Sequence, residues 1–84
     1  HGYGSDEHDL FSFAGELNQK FLVVSLKAPI SLGFGGNAWY DIAYTENAEK
    51  WTNVPQALKS RSLVMECLDI IHKEKNTNPN ETYL

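Results

Sequence analysis

The chain has 84 residues, an ordinary apolar share of 42% and a net charge of -4, which bounds it to at most one domain. Mild acidity without a basic stripe argues against nucleic acid as a partner, and no apolar run approaches the roughly 20 residues that cross a bilayer. One cysteine, Cys67, forbids an internal disulfide framework and fits a reducing, cytoplasmic compartment.

The chain opens on a glycine turn, His1-Gly2-Tyr3-Gly4, followed by the acidic, cap-like Ser5-Asp6-Glu7-His8-Asp9-Leu10. In an α/β enzyme such a turn between a strand and a helix lets backbone N–H groups approach a bound oxyanion. Glycine suits it because no Cβ blocks the approach and positive φ is accessible. From Ser5 to Asn18 the pattern predicts a helix. Ser5 or Asp6 serves as N-cap, and Asp6, Glu7 and Asp9 place negative charge where the helix dipole favours it. Leu10, Phe13, Ala14 and Leu17 then fall at i, i+3, i+4 and i+7, an apolar stripe that must lie on something.

Phe21-Leu22-Val23-Val24-Ser25-Leu26 is a continuous apolar run closed by Pro29. Without alternation it predicts a strand covered on both faces, as in a parallel sheet. With the preceding helix it makes half of a β-α-β unit whose first strand would lie before His1. Residues 30 to 50 read as a loop punctuated by Gly33, Gly35 and Gly36, with Trp39, Tyr40 and Tyr44 beside the flexible backbone. Two readings of that loop stand side by side. It is a surface loop whose aromatics cover the core edge, or a substrate-facing wall of the kind carried at the ends of parallel strands.

A second helix is predicted from about Val54 to about Lys75, with Pro55 in the first turn, where its missing N–H costs nothing. Ala57, Val64, Cys67, Leu68 and Ile71 form one stripe, widened by Leu63 and Ile70, as expected of a helix packed on a sheet. Lys73 and Lys75 complement the dipole. Asn76-Thr77-Asn78-Pro79-Asn80 breaks the helix, and Thr82-Tyr83-Leu84 reads as the start of a new strand. With only one convincing buried strand, much of the apolar surface lacks a partner. The chain reads as a piece of a larger domain.

These elements carry a family resemblance. His1-Gly2-Tyr3-Gly4-Ser5, Asp9-Leu10-Phe11, the strand end Leu26-Lys27-Ala28-Pro29 and Gly35-Gly36-Asn37-Ala38-Trp39-Tyr40-Asp41 together resemble the phospholipase/carboxylesterase family of serine α/β-hydrolases, which includes the acyl-protein thioesterases. The resemblance spans essentially all 84 residues. It implies a partial α/β-hydrolase fold: oxyanion loop, helix, parallel strand, long loop, helix and the start of the next strand. It also implies that the backbone N–H of Tyr3 is an oxyanion-hole donor, that Gly2 and Gly4 shape the loop, and that Trp39 lines the acyl pocket. The substrate class implied is a small ester or thioester cleaved through an acyl-enzyme, without a cofactor. The family's Gly-x-Ser-x-Gly elbow would begin where this chain stops, at Leu84, and the Ser, Asp and His of the triad would follow it. None of Ser5, Ser12, Ser25, Ser31, Ser60 or Ser62 sits in such a setting, and His1 reads as a structural part of the loop. The 84-residue chain alone is expected to be inactive.

Other chemistries compete. His1, Asp6, Glu7, His8 and Asp9 cluster in sequence, yet a solvated first helical turn is favoured over a metal site. His72 reads as a surface residue complementing the dipole, and Cys67 as inert packing rather than a nucleophile. Asn80-Glu81-Thr82 matches a glycosylation triplet of a kind common by chance. The non-enzymatic alternative is a small interaction module that binds through the aromatic loop around Trp39.

Overall fold

Only one stretch of the sequence combines good helix formers, a cap and a stop over several turns, and it forms the one long helix. The computed structural model describes residues 1–84; helix α1 spans Val54–Lys75, matching the expected limits. The Asn53 side chain accepts from the Gln56 N–H at 3.1 Å, Pro55 occupies the first turn, and Asn76 ends the helix in the left-handed region at φ 51°, each the expected chemistry of its position. At about 1.5 Å per residue the helix is about 33 Å long. Its half-covered face carries Ala57, Val64, Cys67, Leu68 and Ile71, the predicted stripe, with Ser60 buried among them. Leu63 and Ile70, expected to widen that stripe, are exposed instead.

Residues 30–52 are not a loop. They form two antiparallel pairs. Strand β1 (Ile30–Ser31) pairs with β2 (Asn37–Ala38), setting Ile30 opposite Ala38 and Ser31 opposite Asn37. Strand β3 (Ile42–Tyr44) pairs with β4 (Lys50–Thr52), setting Ala43 opposite Trp51. The first reversal uses Gly35 and Gly36, both at positive φ. The second is closed by Thr45 N–H donating to Glu49 O at 2.8 Å, with Ala48 at φ 60°. Glycine punctuation marked flexibility in the sequence; here it marks a hairpin turn.

The α/β architecture with a parallel sheet is not what the chain adopts. One long helix and two small antiparallel sheets replace it. The predicted strand Phe21–Leu26 joins no ladder. A central strand exists only through neighbours on both edges, and none of the four strands bonds to this segment.

The predicted helix from Ser5 to Asn18 is replaced by turns and a short 3-10 helix, Phe11–Glu16. Its start is taken elsewhere: Asn37 N–H donates to Ser5 O at 2.7 Å, and the Asp6 carboxylate accepts from His8 N–H at 2.8 Å. The stripe has nothing to lie on, so Leu10, Phe13 and Leu17 remain exposed, and a helix this short is marginal without packing. Residues 82–84 form no strand either; they follow a 3-10 turn at Pro79–Glu81, and the Tyr83 ring meets Phe21 edge-on at 6.0 Å.

The radius of gyration is 15.4 Å, against about 12 Å expected for a compact chain of this length. Four of the 84 residues are buried: Ala28, Asn37, Ala38 and Ser60. They gather where β2, the end of the Phe21–Ala28 segment and the first turns of α1 meet, and the candidate site lies on that knot. No helix is long and apolar enough to cross a membrane.

Candidate functional site

The opening turn is closed by Ser5 N–H donating to Gly2 O at 3.1 Å, with Tyr3 and Gly4 at its centre and Gly4 at φ 81°. Positive φ at the second central position defines a type II turn, where glycine is favoured. The turn is clamped to β2 from both sides: Gly4 N–H donates to Asn37 O at 3.0 Å and Asn37 N–H donates to Ser5 O at 2.7 Å. Gly36, at φ 75°, crosses directly over the turn, and a Cβ there would overlap the Gly4 carbonyl. Two backbones meet because neither carries a side chain at the crossing.

His1 joins a third segment to this crossing. Its Nε2 accepts from the Ala28 N–H at 3.0 Å, and its Nδ1 lies 3.0 Å from Gly2 O. An amide N–H can only donate, so Nε2 is bare and the proton sits on Nδ1, facing the Gly2 carbonyl. The imidazole thus ties the turn to the Ala28 segment, a structural part of the loop as read from the sequence. Trp39 packs on it with ring centroids 5.4 Å apart and donates Nε1–H to His1 O at 2.9 Å.

Helix α1 then holds the Trp39-Tyr40-Asp41 segment. The buried Ser60 hydroxyl donates to Trp39 O. Asp41 N–H donates to Gln56 Oε1 at 2.8 Å while Gln56 Nε2–H donates to Asp41 Oδ2 at 2.9 Å, and Asn53 N–H donates to Asp41 O at 3.0 Å. The structure thus brings together His1-Gly-Tyr-Gly, the Ala28 strand end and the Gly36–Asp41 loop. Those are three of the four segments that carried the resemblance. They meet without the fold that it implied.

Between turn and loop lies a half-open hollow of about 150 Å³ lined by Gly2, Tyr3, Trp39, Tyr40 and Ile42. Its walls are largely apolar. The Tyr3 N–H donates to no group in the chain, so a backbone donor remains free on the turn beside a Trp-lined wall. Such a combination suits a carbonyl or anionic oxygen attached to a small apolar group.

A second, more open hollow of about 300 Å³ is lined by Glu7, His8, Phe11, Val23, Val24 and Ser25. Serine, histidine and glutamate gather there without forming a nucleophile and base. Ser25 Oγ donates to Glu7 O at 2.6 Å, and His8 lies 3.5 Å from the Glu7 carboxylate. Activation would need the imidazole on the serine. The remaining acids are used locally, Asp6 on His8 N–H and Asp9 on the Ser5 hydroxyl at 2.6 Å, and no three potential metal ligands converge.

His72 lies in the last turn of α1, as expected, and is half-buried rather than fully on the surface. Its Nδ1 lies 2.7 Å from Thr77 Oγ1 and its Nε2 3.3 Å from Thr82 Oγ1, tying the chain after α1 back to the helix. Cys67 is half-buried on the covered stripe.

Ser60 and Gln56 are the site residues that the sequence reading missed. One signal was present: the two stand at i and i+4 beside Ala57, so both fall on the predicted inner face. A polar pair on an apolar stripe asks for partners, and the partners are Trp39 O and Asp41. Compared with known proteins, the chain matches no family model, no curated protein and no solved structure.

Proposed function

We propose that this chain supplies the oxyanion-binding turn and part of the acyl-site wall of a serine carboxylesterase or thioesterase. Tyr3 N–H is the donor, Gly2 and Gly4 give the turn its shape, and Trp39 is the wall. The observation that carries the reading is the free Tyr3 N–H on a turn fixed from three directions: by Asn37, by His1 and by the glycine crossing at Gly36. Catalytic donors of this kind act because they are oriented before charge develops, so that no reorganisation is needed during reaction. Removing one typically costs about 2.7–4 kcal/mol of transition-state stabilisation. The reading concerns the chemistry of the turn and does not revive the parallel-sheet fold.

The nucleophile, its base and the orienting acid would come from outside these residues, so the chain alone turns over no ester. Titration with an alkylphosphonate, a stable mimic of the tetrahedral oxyanion, tests the binding half of the proposal. The Tyr3 amide proton should shift in a saturable way, the Trp39 indole signal should move with it, and Gly4→Val should abolish both. Absence of any shift at Tyr3 sinks the proposal. So does hydrolysis of a p-nitrophenyl ester by the purified chain, for the inactive half.

The interaction-module reading has weaker support. Its support is reduced because part of the Trp39 ring lies on His1 and its N–H is spent on His1 O, leaving the remainder to line the hollow.

A further inference from the structure

The clamps on the opening turn and on Trp39 join amides, an indole N–H and a hydroxyl to carbonyls. One further bond of the knot passes through an imidazole. His1 Nε2 accepts from the Ala28 N–H at 3.0 Å, while Nδ1 faces Gly2 O at 3.0 Å. Histidine ordinarily changes charge between about pH 5 and 8, and its protonated ring has two donors and no acceptor. Protonation would therefore set Nε2–H against the Ala28 N–H, donor against donor. Ala28 is 2% exposed, so its amide regains a partner only if the chain there moves outward.

No acid near the ring pairs with the added charge. The opening turn contributes Tyr3 and the α-amino group of His1, and the Ala28 segment contributes Lys27. The chain after β2 contributes Tyr40 and Asp41, whose carboxylate is taken by Gln56 Nε2–H. Helix α1 brings Lys59 and Arg61 beside Ser60. A histidine meets a carboxylate only at His8, 3.5 Å from Glu7. The Trp39 ring, its centroid 5.4 Å away, attracts an imidazolium through its face. That attraction keeps the cation on the indole and leaves Nε2–H opposed to Ala28.

Two hydrogen bonds tie residues 22–28 to residues 1–10: the one at His1, and Ser25 Oγ donating to Glu7 O. We infer that His1 is a pH-operated latch on the Leu22–Ala28 segment, closed while Nε2 is bare and open once the ring takes up a proton. The bond needs the deprotonated nitrogen, so the hold is complete at the upper end of the range and is lost on acidification. The turn itself stays clamped, because its bonds to Asn37 run between backbone groups. The latch operates whether or not that turn binds an oxyanion.

Proton–nitrogen correlation spectra of the 84-residue chain, titrated from about pH 8 to about pH 5, test it. At the upper end the His1 ring should carry its proton on Nδ1. On acidification the Ala28 amide should shift with the midpoint of the His1 ring. Its protection factor against hydrogen exchange should fall about tenfold, as for a covered donor that loses its partner. The Asn37 amide and the Trp39 indole N–H should stay protected. His1→Gln, whose Oε1 accepts from an N–H without titrating, should keep Ala28 protected at both ends. His8→Gln and His72→Gln should behave like the parent. A proton on Nε2 at the upper end, or unchanged Ala28 protection throughout, overturns the inference on the parent chain alone. Loss of the Asn37 protection together with that of Ala28 also overturns it, since the whole knot would then be unfolding. So does a transition that persists in a folded His1→Gln chain, or one abolished by His8→Gln or His72→Gln.

Discussion

Two regions of this chain have opposite fates, and the more apolar one is the less buried. The knot of His1–Ser5, Ala28, Asn37–Asp41 and Ser60 contains every buried residue. The arm from Leu10 to Leu26 is richer in large apolar side chains, yet it leaves Leu10, Phe11, Phe13, Leu17, Phe21, Leu22 and Val24 exposed. The difference lies in size and bonding. The knot closes because glycine and alanine let backbones touch, after which the Gly4, Asn37 and Ala28 amides and the Trp39 carbonyl find partners within the crossing. The arm has periodicity but no second surface. An apolar stripe is only half an interaction, and its burial term vanishes when nothing receives it.

The comparison is broken most severely at Gly36. Gly36→Ala adds a Cβ that overlaps the Gly4 carbonyl and must also hold positive φ. Strain of about 1–2 kcal/mol from the left-handed backbone and about 1–3 kcal/mol from overpacking should open the crossing. Hydrogen exchange at the Gly4 and Asn37 amides reads this directly. Retained protection would show that the crossing is not what holds the turn. Gly4→Ala provides the contrast: φ is again positive but the space is open, so only the backbone strain of about 1–2 kcal/mol applies.

Ser60→Ala should cost about 1–3 kcal/mol, since it leaves the Trp39 carbonyl without its donor in a covered place. Loss of Trp39 near-UV ellipticity with the far-UV spectrum intact would place the damage in the knot rather than in α1. An unchanged spectrum and melt would show that the helix does not position Trp39. Asn53→Ala removes the cap of α1 and should cost about 1 kcal/mol, measured by far-UV melting. A loss several times larger would mean that the Asn53 N–H bond to Asp41 O depends on that side chain. The smallest effect belongs to the arm. Phe13→Ser and Leu10→Ser should each stay within about 0.5 kcal/mol, as surface changes do. A loss well above 1 kcal/mol at either position would mean that the arm is packed in solution, and the contrast between the two regions would fail.

Much of α1 was legible because its causes are local. Pro55 early, Asn76 at the end and a stripe from Ala57 to Ile71 act within a few residues of themselves. The opening turn was legible for the same reason, since Gly4 sits where a type II turn needs positive φ. The hairpins were not, because Gly33, Gly35 and Gly36 signal a reversal without saying what pairs across it. Three or four residues on each side are too few for alternation to stand out.

The arm misled the reading in the other direction. Leu10, Phe13, Ala14 and Leu17 have the right spacing for a helix, and Phe21–Leu26 the right composition for a buried strand. Spacing and composition state what a segment can pair with. Whether the pair exists is a property of the whole chain.

What the sequence determined by itself was therefore whatever a residue does to its own neighbourhood: the limits of α1, the glycine turn and the lack of an apolar span. The tertiary structure alone decided which groups met across distance. It placed Ala28 N–H on His1, Ser60 under Trp39 and Gly36 over Gly4, and left the backbone of Leu22–Lys27 without a hydrogen-bond partner in the chain. Long-range pairing depends on complementary surfaces elsewhere in the chain and on loop-closure entropy, and no local pattern records either.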